Sequence, residues 1–480
     1  MDAAVAANLA LGVAAPYLCG YGGDLFAIVW DGDLHGYLGS GRSPRAATID
    51  DVRNRAASDT MPILGPHAVT VPGGVAGWFD LLERWGTRPF GELAEPALAY
   101  ARDGFELTPT GALYLAGSVA LYDEFPALRS TYEGLEAGDV LRQPALARTI
   151  ETLAADGPDA YYRGPIADAI TDTHQAHGGL LTADDLAAHR GQWTAPLRAM
   201  YREVEVAELP PPTQGVTALE ALRILDGYSL PDDGPDRHHL LIEATKLALQ
   251  NRDDYVSDPA AMTVAPEEML ADAWTAERRA RLDPERAAVP APGAAHVGGT
   301  AYLCAADADG LLVSLIQSNF LSFGSGVHVE KWGINLNNRG SSFTLDAAMV
   351  NALAPAKLPM HTLIPAMAGR EGRCWAAFGC MGADGQPQIQ AQVFLNLAER
   401  GLHPADAVAQ PRVRVVNGGG GLWIEADYRD AGAVARGVPG GQLMPPLHWR
   451  MGHAAALVVD GPGRWRAGED PRSDGSVVEV

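Results

Sequence analysis

VPAPGAAHVGGTAYLCAADADG, residues 289–310, decides how the rest of the chain is read. A run of Ala, Pro and Gly ends in Gly298 and Gly299 and meets Thr300, which opens a stretch with the composition of a β-strand. Read plainly, the run is a surface linker between two halves of one domain. Read chemically, it is a processing site: the chain cuts between Gly299 and Thr300 and leaves Thr300 as a new N-terminus. A threonine hydroxyl is a poor nucleophile without a base in hydrogen-bond reach. A free α-amine on the same residue, with a pKa of about 8, supplies that base. The amine exists only after the preceding peptide bond is cut, and Gly-Thr alone does not choose between the two readings.

Outward from this point the chain has three textures. Residues 1 to about 48 give a helix, a glycine turn CGYGGD, and two strands, LFAIVWDG and LHGYLGS, joined at an Asp-Gly turn. Residues from about 70 to 285 are mainly helical. VAGWFDLLERWG, FGELAEPALAYARDG, YRGPIADAITDTHQAHGG, TADDLAAHR and DRHHLLIEATKLALQNRDDYV carry apolar residues at three-to-four spacing and end near Gly or Pro. Beyond a loop at about 284–299 come a hairpin, TAYLCAADADGLLVSLIQS, and the short strands CWAAFGCMG and HAAALVVDG, with the helix QIQAQVFLNLAERG between the last two. Strands at both ends with helices between predict an α+β protein of two packed sheets with helices outside. The strand that opens at Thr300 is expected near the centre of a sheet.

Composition sets the bounds. The 480 residues are 47% hydrophobic, enough for the core of one large unit. Their 36 basic and 59 acidic side chains give a net charge of −23. That balance leaves no basic stripe for a nucleic acid or an anionic membrane. Cys19, Cys304, Cys374 and Cys380 have no metal-site or disulfide spacing and read as buried thiols. The N-terminal twenty residues are apolar but lack a positive flank and carry Asp2, Asn8, Gly12 and Pro16. They read as a buried helix that starts abruptly, as though residues upstream were missing, and the expected location is cytoplasmic. His238, His239 and Glu243 lie on one helix without a third ligand, so no metal is expected. GYGGD is no dinucleotide fingerprint, because no strand precedes it.

A longer set of stretches favours the processing reading. DAAVAANLALGVAAPYLCGYGGDLFAIVW, VTVPGGVAGWFDLLERWGT, PALAYARDGFELTP, YYRGPIADAI, GGLLTADDLAAHR and PPPTQG follow in order, then LIEATKLALQNRDDYVSDP, SFGSGVHVEKWGINLNNRGSSF, NALAPAKLPMHTLIPA, GLHPADAVAQPR and GEDPRSDG. In these the chain resembles, over nearly its whole length, the γ-glutamyltransferase family of N-terminal-nucleophile hydrolases. The resemblance implies a proenzyme that cuts itself before a threonine and folds as a four-layer αββα sandwich. Residues 1–299 and 300–480 would then stay tightly associated in one compact unit, with a homodimer left open. No metal or organic cofactor is implied.

Carried over by position, the resemblance puts Thr300 on the nucleophile, although the family's Thr-Thr-His here continues as Ala301 and Tyr302. Ser318 falls on a hydroxyl that supports the nucleophile. Gly382 and Ala383, in CMGADG, fall on the backbone N–H donors of the oxyanion hole. The amino-acid clamp is rewritten. Ser40 stands where the family has an arginine, with Arg42 two residues on. Arg339 and Ser342, in NNRGSSF, stand where acidic or amide residues hold an ammonium. Phe320 replaces an asparagine, and His361 and Thr362 replace a serine pair. An ammonium beside Arg339 without a carboxylate is disfavoured by like charge. A small or anionic, oxamate-like acyl group is therefore implied, and SGRS with IQSN resembles the branch that contains oxamate amidohydrolase. Arg42 and Arg339 read equally well as ion-pair arginines, and His361 as a loop histidine. Two alternatives remain: a true γ-glutamyltransferase or glutathione hydrolase, and a catalytically silent binding protein on the same scaffold.

Overall fold

Two antiparallel sheets lie face to face, and helices cover the outer side of each, giving four layers in the order helix, sheet, sheet, helix. The computed structural model describes residues 1–231, 234–288, 299–416, 421–438 and 440–479. Numbering only the strands of these two sheets, β1 is Asp24–Trp30, β2 Leu34–Gly39, β3 Gln192–Thr194, β4 Leu197–Tyr201, β5 Val204–Glu208 and β6 Gly299–Ala306. β7 is Leu312–Phe320, β8 Ala366–Arg370, β9 Arg373–Cys380, β10 Ala454–Gly461 and β11 Arg464–Glu469. The first sheet runs β3-β2-β1-β7-β6 and the second β11-β10-β9-β8-β5-β4.

Burial explains the sequence texture. β1 and β7 are covered on both faces, so β1 reads as a continuous apolar run after Asp24, while β7 is apolar at its start and turns polar toward Gln317, Ser318 and Asn319. Between the sheets, Phe26, Ile28, Ile316, Leu363, Met367 and Ala377 form the seam. Val5, Leu9, Trp78, Ile150 and Ile166 pack the helices Asp2–Ala14, Gly74–Trp85, Pro144–Asp156 and Pro165–Ala176 onto the outer side of the first sheet. Leu219, Leu241 and Phe394 do the same on the second sheet, from Gly215–Leu225, Pro235–Tyr255 and Gln386–Ala398. The β1–β2 turn carries Gly32 at φ 112° and the β6–β7 turn Gly310 at φ 97°, the left-handed region in which an Asp-Gly pair is at home.

Three expectations change. The segment 70–285, read as mainly helical, also carries β3, β4 and β5. Its strand signal was present, since Leu197, Ala199 and Tyr201 face inward while Arg198 and Met200 face out. β6 begins at Gly299 rather than Thr300, and it is the edge strand of its sheet, not a central one. Of the expected processing loop 284–299, residues 289–298 lie outside the described residues.

Both sheets draw strands from both sides of the Gly299–Thr300 bond. β1–β3 share a sheet with β6 and β7, and β4–β5 share one with β8–β11. A cut at that bond would leave two pieces woven into one core.

The four cysteines are unpaired thiols, three of them buried, and burial pushes the Cys304 and Cys374 thiols up to about 12. Glu243 pairs with Lys246 at 2.6 Å and His239 meets the Asp283 carbonyl at 2.8 Å, so both already have partners. Among the described residues no helix is long and apolar enough to cross a membrane.

The closing motif GEDPRSDG is a buried ion network. Asp470 takes Arg412 at 2.5 Å and Arg472 at 3.0 Å, and Arg472 also grips Glu425. Asp470 further accepts the Ala454 N–H at 2.9 Å, which fixes the start of β10. Removing one partner leaves an uncompensated buried charge. Arg472→Ala is expected to cost about 3–5 kcal/mol of stability, read as a lowered urea midpoint. A loss under about 1 kcal/mol, the range of an exposed pair, would show that the network is not desolvated.

Candidate active site

Thr300 is 4% exposed and sits in a bulge. Gly299 pairs with Phe320 and Ala301 with Gln317, so Ser318 and Asn319 together oppose Thr300. This brings three oxygens into line. The Thr300 hydroxyl donates to Ser318 Oγ at 3.3 Å, and Ser318 Oγ donates to the Gly299 carbonyl at 2.6 Å. The Phe320 N–H also donates to Ser318 Oγ, at 2.8 Å. Ser318 thus uses its single proton on the carbonyl of the bond before Thr300 and both lone pairs on the other two donors. Phe320 adopts φ 81°, a strained conformation for a bulky residue. Gly299 has no room for a side chain, because a Cβ there would lie 2.4 Å from the Tyr17 carbonyl oxygen.

Next to this group lies a buried cluster that joins the sequence candidates Arg339, His361, Thr362 and Phe320 to Asp24, the one member that sequence reasoning missed. Asp24 stands opposite Ser318 in the β1–β7 register and is fully buried. Its carboxylate accepts the backbone N–H groups of Gly73 at 3.3 Å and of Gly41, and His361 Nε2 donates to it at 3.0 Å. The Leu363 N–H donates to His361 Nδ1 at 3.3 Å, which places the imidazole proton on Nε2. Arg339 Nε lies 3.8 Å from the same carboxylate. Its Nη1 donates to Thr362 Oγ1 at 3.0 Å, and its guanidinium stacks 3.9 Å over the Phe320 ring. Nε and Nη2 of this fully buried arginine have no hydrogen-bond partner among the described residues.

Burial dominates the electrostatics here. It pushes the Asp24 carboxyl up to about 7, against the opposing pull of Arg339 and the two backbone N–H groups. It pulls the Arg339 guanidinium below its usual value, while Asp24 and Asp384 hold it up. Burial and the Arg339 charge together keep His361 well below its ordinary value, hence neutral.

Gly382 and Ala383 form a turn that runs into the helix Gln386–Ala398. Ala383 is left-handed at φ 48°. Arg414 Nη2 donates to the Gly382 carbonyl at 2.8 Å, and Gln214 Nε2 donates to the Ala383 carbonyl at 2.9 Å and to the Thr362 carbonyl at 3.0 Å. A carbonyl pinned on one side of its peptide aims the following N–H the other way, so Arg414 orients the Ala383 N–H. Arg252 ties the turn to the helical layer, meeting Gln214 at 2.8 Å and Asp384 at 2.7 Å. The turn gathers N–H groups at the positive end of the helix Gln386–Ala398.

The remaining sequence candidates have partners within the fold. Arg42 pairs with Asp258 at 3.2 Å and with the Ala356 carbonyl at 2.9 Å, the ion-pair reading, and its side chain is 45% exposed. Ser342 spends its hydroxyl on the backbone carbonyls of Arg339 and Met360. His361 binds Asp24 rather than facing outward. The expectation that Arg339 has no carboxylate beside it is corrected, since Asp24 fills that place.

A four-layer sandwich of this order is the fold of the N-terminal-nucleophile hydrolases, and the protein is an enzyme of that class. The chain belongs to the gamma-glutamyltranspeptidase family, whose model matches residues 1–480. It is 34% identical to the glutathione hydrolase-like YwrD proenzyme of Bacillus subtilis, over 100% of this chain and 94% of that one. It is likewise 34% identical to the oxamate amidohydrolase proenzyme of Klebsiella pneumoniae, over 100% of this chain and 93% of the relative. The crystal structure of a cephalosporin acylase from Bacillus halodurans superposes with a TM-score of 0.93 at 37% identity, covering 99% of this chain and 90% of that one.

Proposed function

We propose that the chain is a proenzyme that cuts itself between Gly299 and Thr300 and then works as an N-terminal-threonine amidohydrolase. The observation that carries this reading is the hydroxyl line from Thr300 through Ser318 to the Gly299 carbonyl. In self-cleavage Thr300 Oγ bonds to the Gly299 carbonyl carbon while Ser318 donates to the carbonyl oxygen. The C–N bond breaks, and the hydroxyl proton ends on the departing nitrogen. Water then hydrolyses the resulting ester, leaving a Gly299 carboxylate and a free Thr300.

In the mature enzyme the Thr300 amine takes the hydroxyl proton as Oγ attacks a substrate amide and returns it to the leaving nitrogen. The N–H groups of Gly382 and Ala383 hold the oxyanion, each contributing roughly 3 kcal/mol. Water or an acceptor amine releases the acyl group. Arg339, stacked on Phe320 and held by Thr362, is the group that receives the acyl end of the substrate. A buried guanidinium with two nitrogens that lack a hydrogen-bond partner among the described residues favours a small or anionic acyl group, and the oxamate amidohydrolase relative agrees with that class. The test is a panel of amides differing only in the acyl end. Amides with an acyl carboxylate, oxamate included, are expected to be turned over faster than their neutral counterparts. Equal turnover of both would refute the assignment of Arg339.

Ser318→Ala is expected to slow self-cleavage, where the lost donor acts on a developing charge, and to lower kcat of any matured enzyme by about 10²–10³ with KM little changed, because its hydroxyl touches the nucleophile and not the remote end of the substrate. A time course of intact mass and steady-state kinetics read the two effects. Unchanged kcat with a raised KM would refute the role.

A further inference from the structure

We propose that Asp24 is a positioning residue that sets acyl-group choice through Arg339: an anionic acyl group takes over the Nε and Nη2 edge of the guanidinium only as Asp24 takes up a proton from solvent. This rests on the reading of Arg339 as the group that receives the acyl end. Asp24 is 3.8 Å from Nε, close enough to attract but too far to hydrogen-bond, and Nη2 has no hydrogen-bond partner among the described residues. An incoming carboxylate would therefore share one guanidinium with a carboxylate already present. Both groups are enclosed, with Asp24 and Arg339 each at 0% exposure. Two buried anions on one cation leave an uncompensated charge, and one proton removes it.

The neighbouring groups leave Asp24 as the one to accept that proton. His361 faces it as a neutral donor, with its own protonation suppressed by burial and by Arg339. Gly41 and Gly73 face it with backbone N–H groups. The Tyr161 and Tyr162 phenols, whose titration also feels Asp24, are held protonated by burial. On the far side Arg339 feels Asp384, which is paired with Arg252 at 2.7 Å. Asp24 itself is poised near neutrality, at about 7. With no acyl group bound, its carboxylate forms above that value and competes for Arg339. Below it, the carboxyl is neutral and the guanidinium is free to take an anion.

The experiment measures KM for the monoanilide of succinic acid and for butyric anilide, one anionic and one neutral, with mature enzyme from pH 6.5 to 8.5. Titration of the Thr300 amine affects both substrates and cancels in the ratio of the two KM values. That ratio is expected to rise about twentyfold over the range in the wild type, as coupling to one proton requires. Asp24→Asn, which cannot titrate, is expected to flatten it. A flat wild-type ratio with the anionic anilide still preferred overturns the role of Asp24 and leaves the reading of Arg339 standing. An Asp24→Asn enzyme that keeps the slope does the same. No preference for the anionic anilide at any pH overturns both. If Asp24→Asn does not fold, the wild-type profile decides alone.

Discussion

Thr300→Ala is expected to remain a single 480-residue chain, however long it is incubated, and to lose turnover by about six orders of magnitude. The reason is local. Ser318 is the hydroxyl bonded to Thr300, but its proton is already directed at the Gly299 carbonyl oxygen, so its place is that of donor. Alanine removes the one oxygen positioned to attack and leaves that donor facing an intact peptide. Thr300→Ser keeps the oxygen and is expected to be cut, at a different rate because the β-methyl that limits the rotamer is gone. Intact mass decides the matter: the wild type is expected to give pieces ending at Gly299 and beginning at Thr300, which stay together until denaturant is added. Cleavage of the alanine variant at that bond, or of the wild type elsewhere, would sink the assignment. A wild type that never cuts would support the silent-scaffold alternative.

What the sequence made legible follows from the range of the interactions. Helices such as Phe90–Asp103 and hairpins such as β6–β7 declare themselves through local periodicity and an Asp-Gly turn. β4 and β5 were readable too, from the alternation in LRAMYREVEVAE, but they lay between helical stretches and were absorbed into them. Thr300 and Ser318 came through the resemblance, and their contact follows from one hairpin. Asp24 was not legible. It looks like part of a glycine turn, and its partners Arg339 and His361 come from distant parts of the chain that only the completed fold brings together. One clue existed: a lone carboxylate opens β1, an otherwise wholly apolar strand buried on both faces. A buried charge of that kind implies a partner without saying which. The assignment of Arg42 failed to gain support for the opposite reason. Its neighbourhood in sequence suggested a ligand role, while its partner Asp258 is supplied by the loop after the helix Pro235–Tyr255.

Glutathione and γ-glutamyl anilides are expected to be poor substrates, with kcat/KM lowered by about two to four orders of magnitude relative to a well-matched anionic amide. A γ-glutamyl group carries an α-carboxylate and an α-ammonium, and each needs charge-assisted partners contributing roughly 1.5–3 kcal/mol apiece. Ser40 stands where the family's carboxylate-binding arginine is, and Arg42 is held by Asp258 and the Ala356 carbonyl. The ammonium fares worse. Arg339 repels it, and Asp24, the carboxylate beside Arg339, is surrounded by the Gly41 and Gly73 N–H groups and the His361 Nε2 proton. An ammonium would have to displace those donors from a fully buried group, losing bonds as good as those it formed. An acyl carboxylate without an ammonium is attracted by Arg339 and has only Asp24 to contend with, a conflict that one proton on Asp24 removes. Steady-state assays on the matured enzyme settle the point: a γ-glutamyl anilide turned over with kcat/KM at or above about 10⁴ M⁻¹s⁻¹, the ordinary range for an enzyme on its own substrate, would mean that the clamp has been rebuilt from residues other than these.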